Sequence, residues 1–419
     1  MPSKQHGRQY DVVIFGATGY TGLMTAEHIA AHFPTDLRWA VAGRSSEKLR
    51  NVVAECKALN ADRIQPEVEV CNLDDADLLE LAKKTFVLIT TVGPYAQYGE
   101  HAFKACAEAG THYVDCTGEA PWTLQMIRKY EAKAKETGAI LLPQSGIESG
   151  PSDLLTWAMA QLIQSKLSAQ TADVVVEVHE LHSAPSGGTL ATVFGLFDKF
   201  TIKEIADAHE PYALSPVSNP HNAPRASLFS KLTGLYDIPN LGLLHTSITA
   251  GTNAAVVQRT WGVFKQDPAR QKQFYGPNFT YREFMKARNF VIGIAMHYGL
   301  MIGGALLMFV PPFRNLVRRF VFQPGQGPSK EDSAKEYIEF RGVAKPDLEE
   351  SKKLAFVKAW YSGSMYYLTA VLLAQAAGTL LQEEVGLHGG VYTPASLGQG
   401  YIDRLNEHGF KIETKLIDA

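Results

Sequence analysis

Three glycines at GxxGxxG spacing, in Gly16-Ala17-Thr18-Gly19-Tyr20-Thr21-Gly22, stand between a short apolar run, Tyr10 to Phe15, and an apolar-periodic stretch from Gly22 to Ala31. The order reads strand, tight turn, helix. In such a unit Gly16 makes the sharp turn, Gly19 admits a pyrophosphate close to the backbone, and Gly22 lets helix and strand pack closely. Free N–H groups at the helix start then face the phosphates. Taken alone the glycines also suit an ordinary turn. Their place in the first unit of an alternating chain makes them a dinucleotide motif, with Gly16, Ala17, Thr18, Gly19, Tyr20, Thr21 and Gly22 as cofactor-binding residues.

The alternation continues. Leu37 to Ala42 reads as a second strand ending at Gly43-Arg44, and a helix runs through Leu49, Val52, Val53 and Cys56. A third strand (Val68 to Cys71), a helix (Asp75 to Lys83), a fourth strand (Phe86 to Thr91), a helix (Glu100 to Ala109) and a fifth strand (His112 to Asp115) follow. Trp122 to Thr137 is one more helix, leading to an apolar strand from Ala139 to Pro143. Buried strands alternating with amphipathic helices predict an α/β fold with a Rossmann-type parallel sheet covered on both faces. The chain has 419 residues, and single cores stop growing near roughly 250 to 300, so further units are expected. The pattern changes at GIESGPSDLL, after Gly146, where Pro151 and Ser152 open a helix. Beyond it Val174 to His182 reads as a strand, and Glu349 to Leu381 as a long helical run.

The end of the second strand decides which dinucleotide fits. An NAD site places a carboxylate there to accept from the ribose 2′-hydroxyl. This chain has Gly43-Arg44-Ser45, with Lys48 one turn later. A guanidinium, a hydroxyl and an ammonium suit a 2′-phosphate, so NADP(H) is the expected cofactor. The competing reading makes Arg44 a solvated surface charge. Ligands in such sheets sit at the carboxyl edge, so Thr91, Val92, Gly93, Pro94 and Gly118 are expected to line the rest of the cofactor, and Asn72 to flank the adenine. Tyr95 is the catalytic candidate, because a phenol near the nicotinamide can donate a proton. Packing at a strand end is the alternative for that ring.

The formal net charge of −3, with no basic stripe, gives no nucleic-acid surface. Cys56, Cys71, Cys106 and Cys116 form no CxxC pair and no signal peptide precedes them, which suits reduced thiols in a cytoplasmic protein. No HxxxH or clustered Cys/His spacing suggests a metal, and no Ser/His/Asp order suggests hydrolysis. Phe290 to Phe313 contains no Asp, Glu, Lys or Arg. Arg288 precedes it, Arg314, Arg318 and Arg319 border it, and Gly299 and Gly303 form a GxxxG within it. Three readings stay open: a buried core helix, peripheral insertion into a membrane or lipid-droplet surface, and a span. A single crossing would separate units that pack together, so docking is preferred to crossing.

The runs GATGYTG, AGR, TTVGPY, YGEHAFKACAEAGTHYVDCTGE and SGIESGPSDLL together resemble the saccharopine-dehydrogenase-like oxidoreductases, and within them the trans-acting enoyl reductases. The spacing from Gly93-Pro94-Tyr95 through Tyr113, Asp115, Gly118 and Glu119 is the most specific part. Looser matches follow at Gly187-Gly188-Thr189, Gly325 to Ser329 and Gly389 to Pro394. Relatives commonly carry Asp where Glu148 stands and Phe where Tyr95 stands, and no basic cluster for the carboxylates of saccharopine is evident. The resemblance implies a Rossmann domain over residues 1–148, an inserted α+β second domain over 149–350, and a helical return over 351–419 packing on the first. It also implies hydride delivery from NADPH to the β-carbon of an α,β-unsaturated acyl or polyketide thioester, carried by a synthase partner; Tyr95, by its place at the nicotinamide end and not by the resemblance, is the first candidate for donor. His182 and the Gly187-Gly188-Thr189 loop would face the substrate; a structural role for His182 is the alternative. A homodimer is compatible with this reading. The competing function is a lipid-surface or scaffold protein without turnover.

Overall fold

The computed structural model describes residues 4–183, 195–220, 224, 226–317 and 329–419. Its first unit runs β1 (Tyr10–Phe15), α1 (Tyr20–His32), β2 (Trp39–Gly43), α2 (Ser46–Leu59), β3 (Glu67–Val70), α3 (Asp75–Lys84), β4 (Thr85–Thr90), α4 (Tyr95–Tyr98), α5 (Glu100–Ala109), β5 (His112–Asp115), α6 (Ala120–Thr137) and β6 (Ile140–Leu142). The six strands pair in parallel in the order 3-2-1-4-5-6. Every residue of β1 and β2 is buried, as a sheet covered by helices on both faces requires. The strand order reverses between β1 and β4, which opens a crevice at their carboxyl ends.

The chain then enters α7 (Gly150–Leu167), β7 (Thr171–His182), α8 (Leu228–Thr233), β8 (Leu235–Ile238), β9 (Gly242–Thr246), α9 (Ala250–Gln266), β10 (Thr280–Lys286), α10 (Phe290–Phe309), α11 (Pro311–Val317), β11 (Tyr337–Pro346) and β12 (Lys353–Ser362). It closes with α12 (Met365–Gln382), β13 (Gly390–Val391), α13 (Gln399–Glu407) and β14 (Lys411–Asp418). The second sheet has the order 14-12-11-7-10-9-8. It is mixed: β7 and β10 run parallel and the other pairs antiparallel. Helix α7, apolar on most sides, packs under this sheet, and its Asp153 accepts from Thr260 Oγ1 at 2.5 Å and Ala395 N at 2.8 Å.

Two expectations are corrected. The helical run from Glu349 is in fact β12 followed by α12. In β12, Ala355, Val357, Ala359 and Tyr361 are buried, while Leu354, Phe356 and Trp360 on the other face are also apolar, so no period of two shows in the sequence. The return over 351–419 is therefore not wholly helical, because β12 and β14 belong to the second sheet. The segment that returns is α12 with β13, which adds to the first sheet beside β6. Helix α12 packs on α1 through His28, whose Nε2 accepts from Gln375 Nε2 at 2.9 Å and whose Nδ1 lies 3.1 Å from the Tyr367 hydroxyl.

Of the three readings open for Phe290 to Phe313, the structure removes one. The segment is not a core helix: in α10 only Gly293 is buried, and Val291, Met301, Ile302 and Phe309 are exposed.

Candidate active site

The crevice is built first from backbone. Gly16 has φ +91°, and a Cβ there would sit 2.7 Å from Val92 Cγ2 and 2.9 Å from Thr91 Oγ1. At Gly22 a Cβ would lie 2.2 Å from the Gly16 carbonyl oxygen, so helix and turn approach only because that side chain is missing. Thr91 N donates to Phe15 O at 3.0 Å, and Thr91 Oγ1 donates to Gly16 O at 3.2 Å, tying β4 to the turn. Helix α1 begins at Gly19 with no side-chain cap, leaving its first N–H groups for a ligand. Ala17 is buried, Thr18 exposed, and Tyr20 and Thr21 half-buried, with the Tyr20 ring 5.2 Å from Tyr366.

At the end of β2, Arg44 and Lys48 are exposed, and neither cation has a partner among the described residues. Ser45 caps α2, its Oγ accepting from Lys48 N at 3.4 Å, and its hydroxyl hydrogen stays free to donate. Asn72 follows β3 and is held by Asp77, whose Oδ2 accepts from both its N and Nδ2 at 2.9 Å. Thr91 and Val92 are half-buried and Gly93 is exposed at the end of β4. A glycine cradle that any Cβ would fill, uncapped helix N–H groups, and two unpaired cations one strand away fit a dinucleotide with a 2′-phosphate.

Tyr95 departs from expectation. Glu119 accepts from Tyr95 N at 2.7 Å and Ala96 N at 2.8 Å, starting α4 so that the ring turns inward. Tyr95 is 4 % exposed, its ring centroid lies 5.4 Å from that of Trp122, and its hydroxyl donates to Thr90 O at 2.9 Å. The hydroxyl also lies 3.4 Å from Cys116 Sγ, and burial holds the phenol pKa well above the ordinary value. Tyr95 thus packs inside the fold at the strand end, the alternative the sequence left open for that ring. His182 is exposed at the end of β7, with Nε2 2.7 Å from Glu180 Oε1. Gly187-Gly188-Thr189 and Gly325 to Pro328 lie outside the described residues.

Carboxyl groups to which the sequence assigned no chemical role gather at and beyond the carboxyl ends of β5 and β6. Asp115 is buried, accepts from Thr117 N and Gln144 N at 2.9 Å and from Tyr113 OH at 2.7 Å, and burial raises it to about 6. Burial lifts Glu119 to about 7 despite its two N–H donors. Glu148, just beyond β6, rests against Gly118: a Cβ on that glycine would be 2.1 Å from Glu148 Oε2. Glu148 is half-buried, makes no hydrogen bond among the described residues, and is raised to about 6 by burial and by the Glu283 carboxylate. Glu283, on β10, accepts from Ser152, Asn253, Tyr281, Ser247 and Thr249 at 2.7–3.0 Å. It also lines a cavity of about 460 Å³ bounded by Ser227, Ser230, Tyr236, Ala254 and Phe284. The signal in the sequence was the DCTGE run at the end of β5.

A doubly wound sheet with this glycine cradle and this cation pair defines an NADP(H)-dependent oxidoreductase. A family model described as the saccharopine dehydrogenase NADP binding domain matches residues 12–142. Over 436 residues the chain is 30% identical to a trans-acting enoyl reductase of Mycobacterium tuberculosis (strain H37Rv), covering 97% of this chain and 98% of that protein. The corresponding protein of Mycobacterium leprae is 29% identical over 437 residues with the same coverage. The chain belongs to the saccharopine-dehydrogenase-like oxidoreductase family, in the branch of the trans-acting enoyl reductases. Among solved structures, it is similar to apo saccharopine dehydrogenase of Saccharomyces cerevisiae (TM-score 0.56, 12% identity, 96% of this chain and 99% of that one). It is also similar to homospermidine synthase of Legionella pneumophila in complex with NAD (TM-score 0.52, 10% identity, 100% and 93%). At those identities the likeness is one of fold.

Proposed function

We propose that the protein reduces the double bond of an α,β-unsaturated acyl thioester, on a chain carried by a partner synthase, with Glu148 as proton donor. The observation that carries the assignment is the Glu148 carboxyl set against Gly118, a strand-end glycine expected to line the cofactor, and within reach of the Glu283 charge. Bound NADPH supplies a hydride to the β-carbon. The residues Arg44, Ser45 and Lys48 would take the 2′-phosphate, the N–H groups opening α1 would take the pyrophosphate, and Thr91 to Pro94 with Gly118 would line the nicotinamide end. Asn72 flanks the adenine.

Glu148, with a pKa of about 6, keeps a neutral fraction near neutrality and gives its proton to the α-carbon, ending as a carboxylate that water reprotonates. Glu283, satisfied by five donors, stays in place and holds the Glu148 proton on by its charge. The relatives named trans-acting enoyl reductases support the substrate class.

The test is loss of NADPH absorbance with crotonyl and longer enoyl thioesters on coenzyme A or an acyl carrier protein, for the wild type and Glu148→Gln. Turnover that Glu148→Gln abolishes without weakening NADPH binding supports the assignment. The exposed α10 favours a second reading, a lipid-surface or scaffold protein. Tight NADPH binding with no turnover across the panel would select it.

A further inference from the structure

We infer that α8 and α10 form a docking face for an anionic lipid bilayer, with α10 lying in one leaflet. The inference does not depend on the proposed reaction. Helix α10 is 20 residues without a charged side chain. Val291, Met296 and Met301 are all exposed, and at 100° per residue they point to three different sides. A protein groove covers one stripe of a helix and leaves a polar face outward; here no polar face exists. The body of the protein covers one side of the N-terminal half: Gly293 packs on Leu235 and Ala287, and His297 Nδ1 lies 2.7 Å from Thr246 Oγ1. From Gly299 onward the helix is freer, with open space where a Cβ would be at Gly299, Gly303 and Gly304. Helix α8 extends the apolar face. Leu228, Phe229 and Leu232 are exposed there, and Tyr298 OH donates to Leu232 O at 2.6 Å, joining the two helices.

Charge selects the occupant. From Phe284 to Lys330, and again from Pro211 to Tyr236, the sequence contains no Asp or Glu, while Arg and Lys recur in both stretches. Arg288 and Lys231 are exposed beside the apolar surface, placed to meet anionic headgroups. Both ends of α10 return to the same body. Its start continues from β10, and beyond its end Arg314 pairs with Asp198 at 3.0 Å, in a segment whose Gly195 approaches Pro94. The helix therefore lies in a leaflet rather than crossing. Ser227 and Ser230 of α8 line the Glu283 cavity, so docking sets that cavity beside the lipid, and an acyl chain in the leaflet has a short path into it.

The test is flotation of the full chain with phosphatidylcholine vesicles, with and without phosphatidylglycerol. Wild type is expected to float with the anionic vesicles and about tenfold less with phosphatidylcholine alone. Met301→Asp combined with Ile302→Asp is expected to weaken partitioning by about a hundredfold while NADPH binding is kept. Independently, the indole of an Ile302→Trp variant is expected to shift to the blue on vesicle addition and to be quenched by brominated acyl chains. The proposal is overturned if wild type stays unbound with both vesicles, if phosphatidylglycerol makes no difference, if the double Asp variant floats equally, or if the Ile302→Trp indole is not quenched. A dimer in solution that the double Asp variant dissociates, with no flotation, also overturns it and makes a second copy the occupant.

Discussion

The carboxyl of Glu148 rests on Gly118, so near that a methyl group on the glycine would stand 2.1 Å from Oε2. The contact joins the loop after β5 to the segment that leads from β6 into α7. Glu148→Gln is expected to lower kcat by about a hundredfold to ten-thousandfold with an unchanged Kd for NADPH, because it removes a proton and little volume. Because the acid form donates, wild-type kcat should fall as pH rises through the region of about 6, and the variant should lose that limb. Kinetics across pH check this; an unchanged profile in the variant removes Glu148 from the chemistry.

Tyr95→Phe is the matching control. The hydroxyl donates to Thr90 O inside the fold, so its loss should cost about 1 kcal/mol of stability and leave kcat within about twofold. Thermal unfolding and kinetics on one preparation separate the two effects. A large fall in kcat at unchanged stability would return the phenol to the mechanism.

Arg44 stands at the end of β2 with no partner among the described residues. Arg44→Asp replaces a cation suited to a 2′-phosphate with an acceptor suited to a ribose hydroxyl. Preference should swing from NADPH toward NADH, by about a hundredfold or more in the ratio of the two Kd values. Titration of both reduced coenzymes measures it. A fixed ratio places Arg44 away from the adenosine ribose.

Gly22→Ala is expected to be far more damaging than its size suggests. The new Cβ would fall 2.2 Å from the Gly16 carbonyl oxygen and 2.9 Å from Ala17 Cα, both backbone atoms that cannot step aside cheaply. Stability should drop by about 2–4 kcal/mol, and dinucleotide binding should be lost. Denaturant unfolding and NADPH titration test both halves.

Between α1 and α12, burial lowers His28 to about 2, with His32 and His408 adding to the effect. Its folded pKa lies below the ordinary value of 6.5, so the unfolded chain takes up the proton first as pH falls. Its stability contribution is whole above about 6.5 and is lost progressively below it. Asp115 and Glu119, raised to about 6 and about 7, act in the opposite direction. The folded state takes up their protons first, so stability rises as pH falls through that range. Comparing wild type with His28→Asn isolates the histidine, and the variant should unfold with a flatter acid limb in urea titrations at several pH values. Equal slopes would show that His28 is not held neutral.

The first sheet was legible because its central strands β1, β2 and β4 are mostly apolar runs and its helices are one-sided, so each pattern names one element. Strand β12 was hidden for the opposite reason. Leu354, Phe356 and Trp360 make its second face largely apolar too, with Lys358 the exception, and a run apolar on both faces reads equally well as helix. The segment from Phe290 to Phe313 had the composition of a core helix and of a lipid-facing one alike; exposure, which composition does not carry, removes the core helix. At the site, the glycines and Arg44 could be read because their spacing follows the sheet. Tyr95 was misread because the direction of its ring depends on Glu119, 24 positions later. Glu148 became a candidate only when the fold set it against Gly118 and Glu283.

The most direct measurement uses NADPH deuterated at the transferable position of the nicotinamide and an enoyl thioester on an acyl carrier protein, with the product read by mass spectrometry. Enoyl reduction predicts a saturated acyl chain carrying a single deuterium at the β-carbon, one chain formed for each NADPH consumed. An unaltered enoyl thioester beside saturably bound NADPH, or a product without the label, would contradict it.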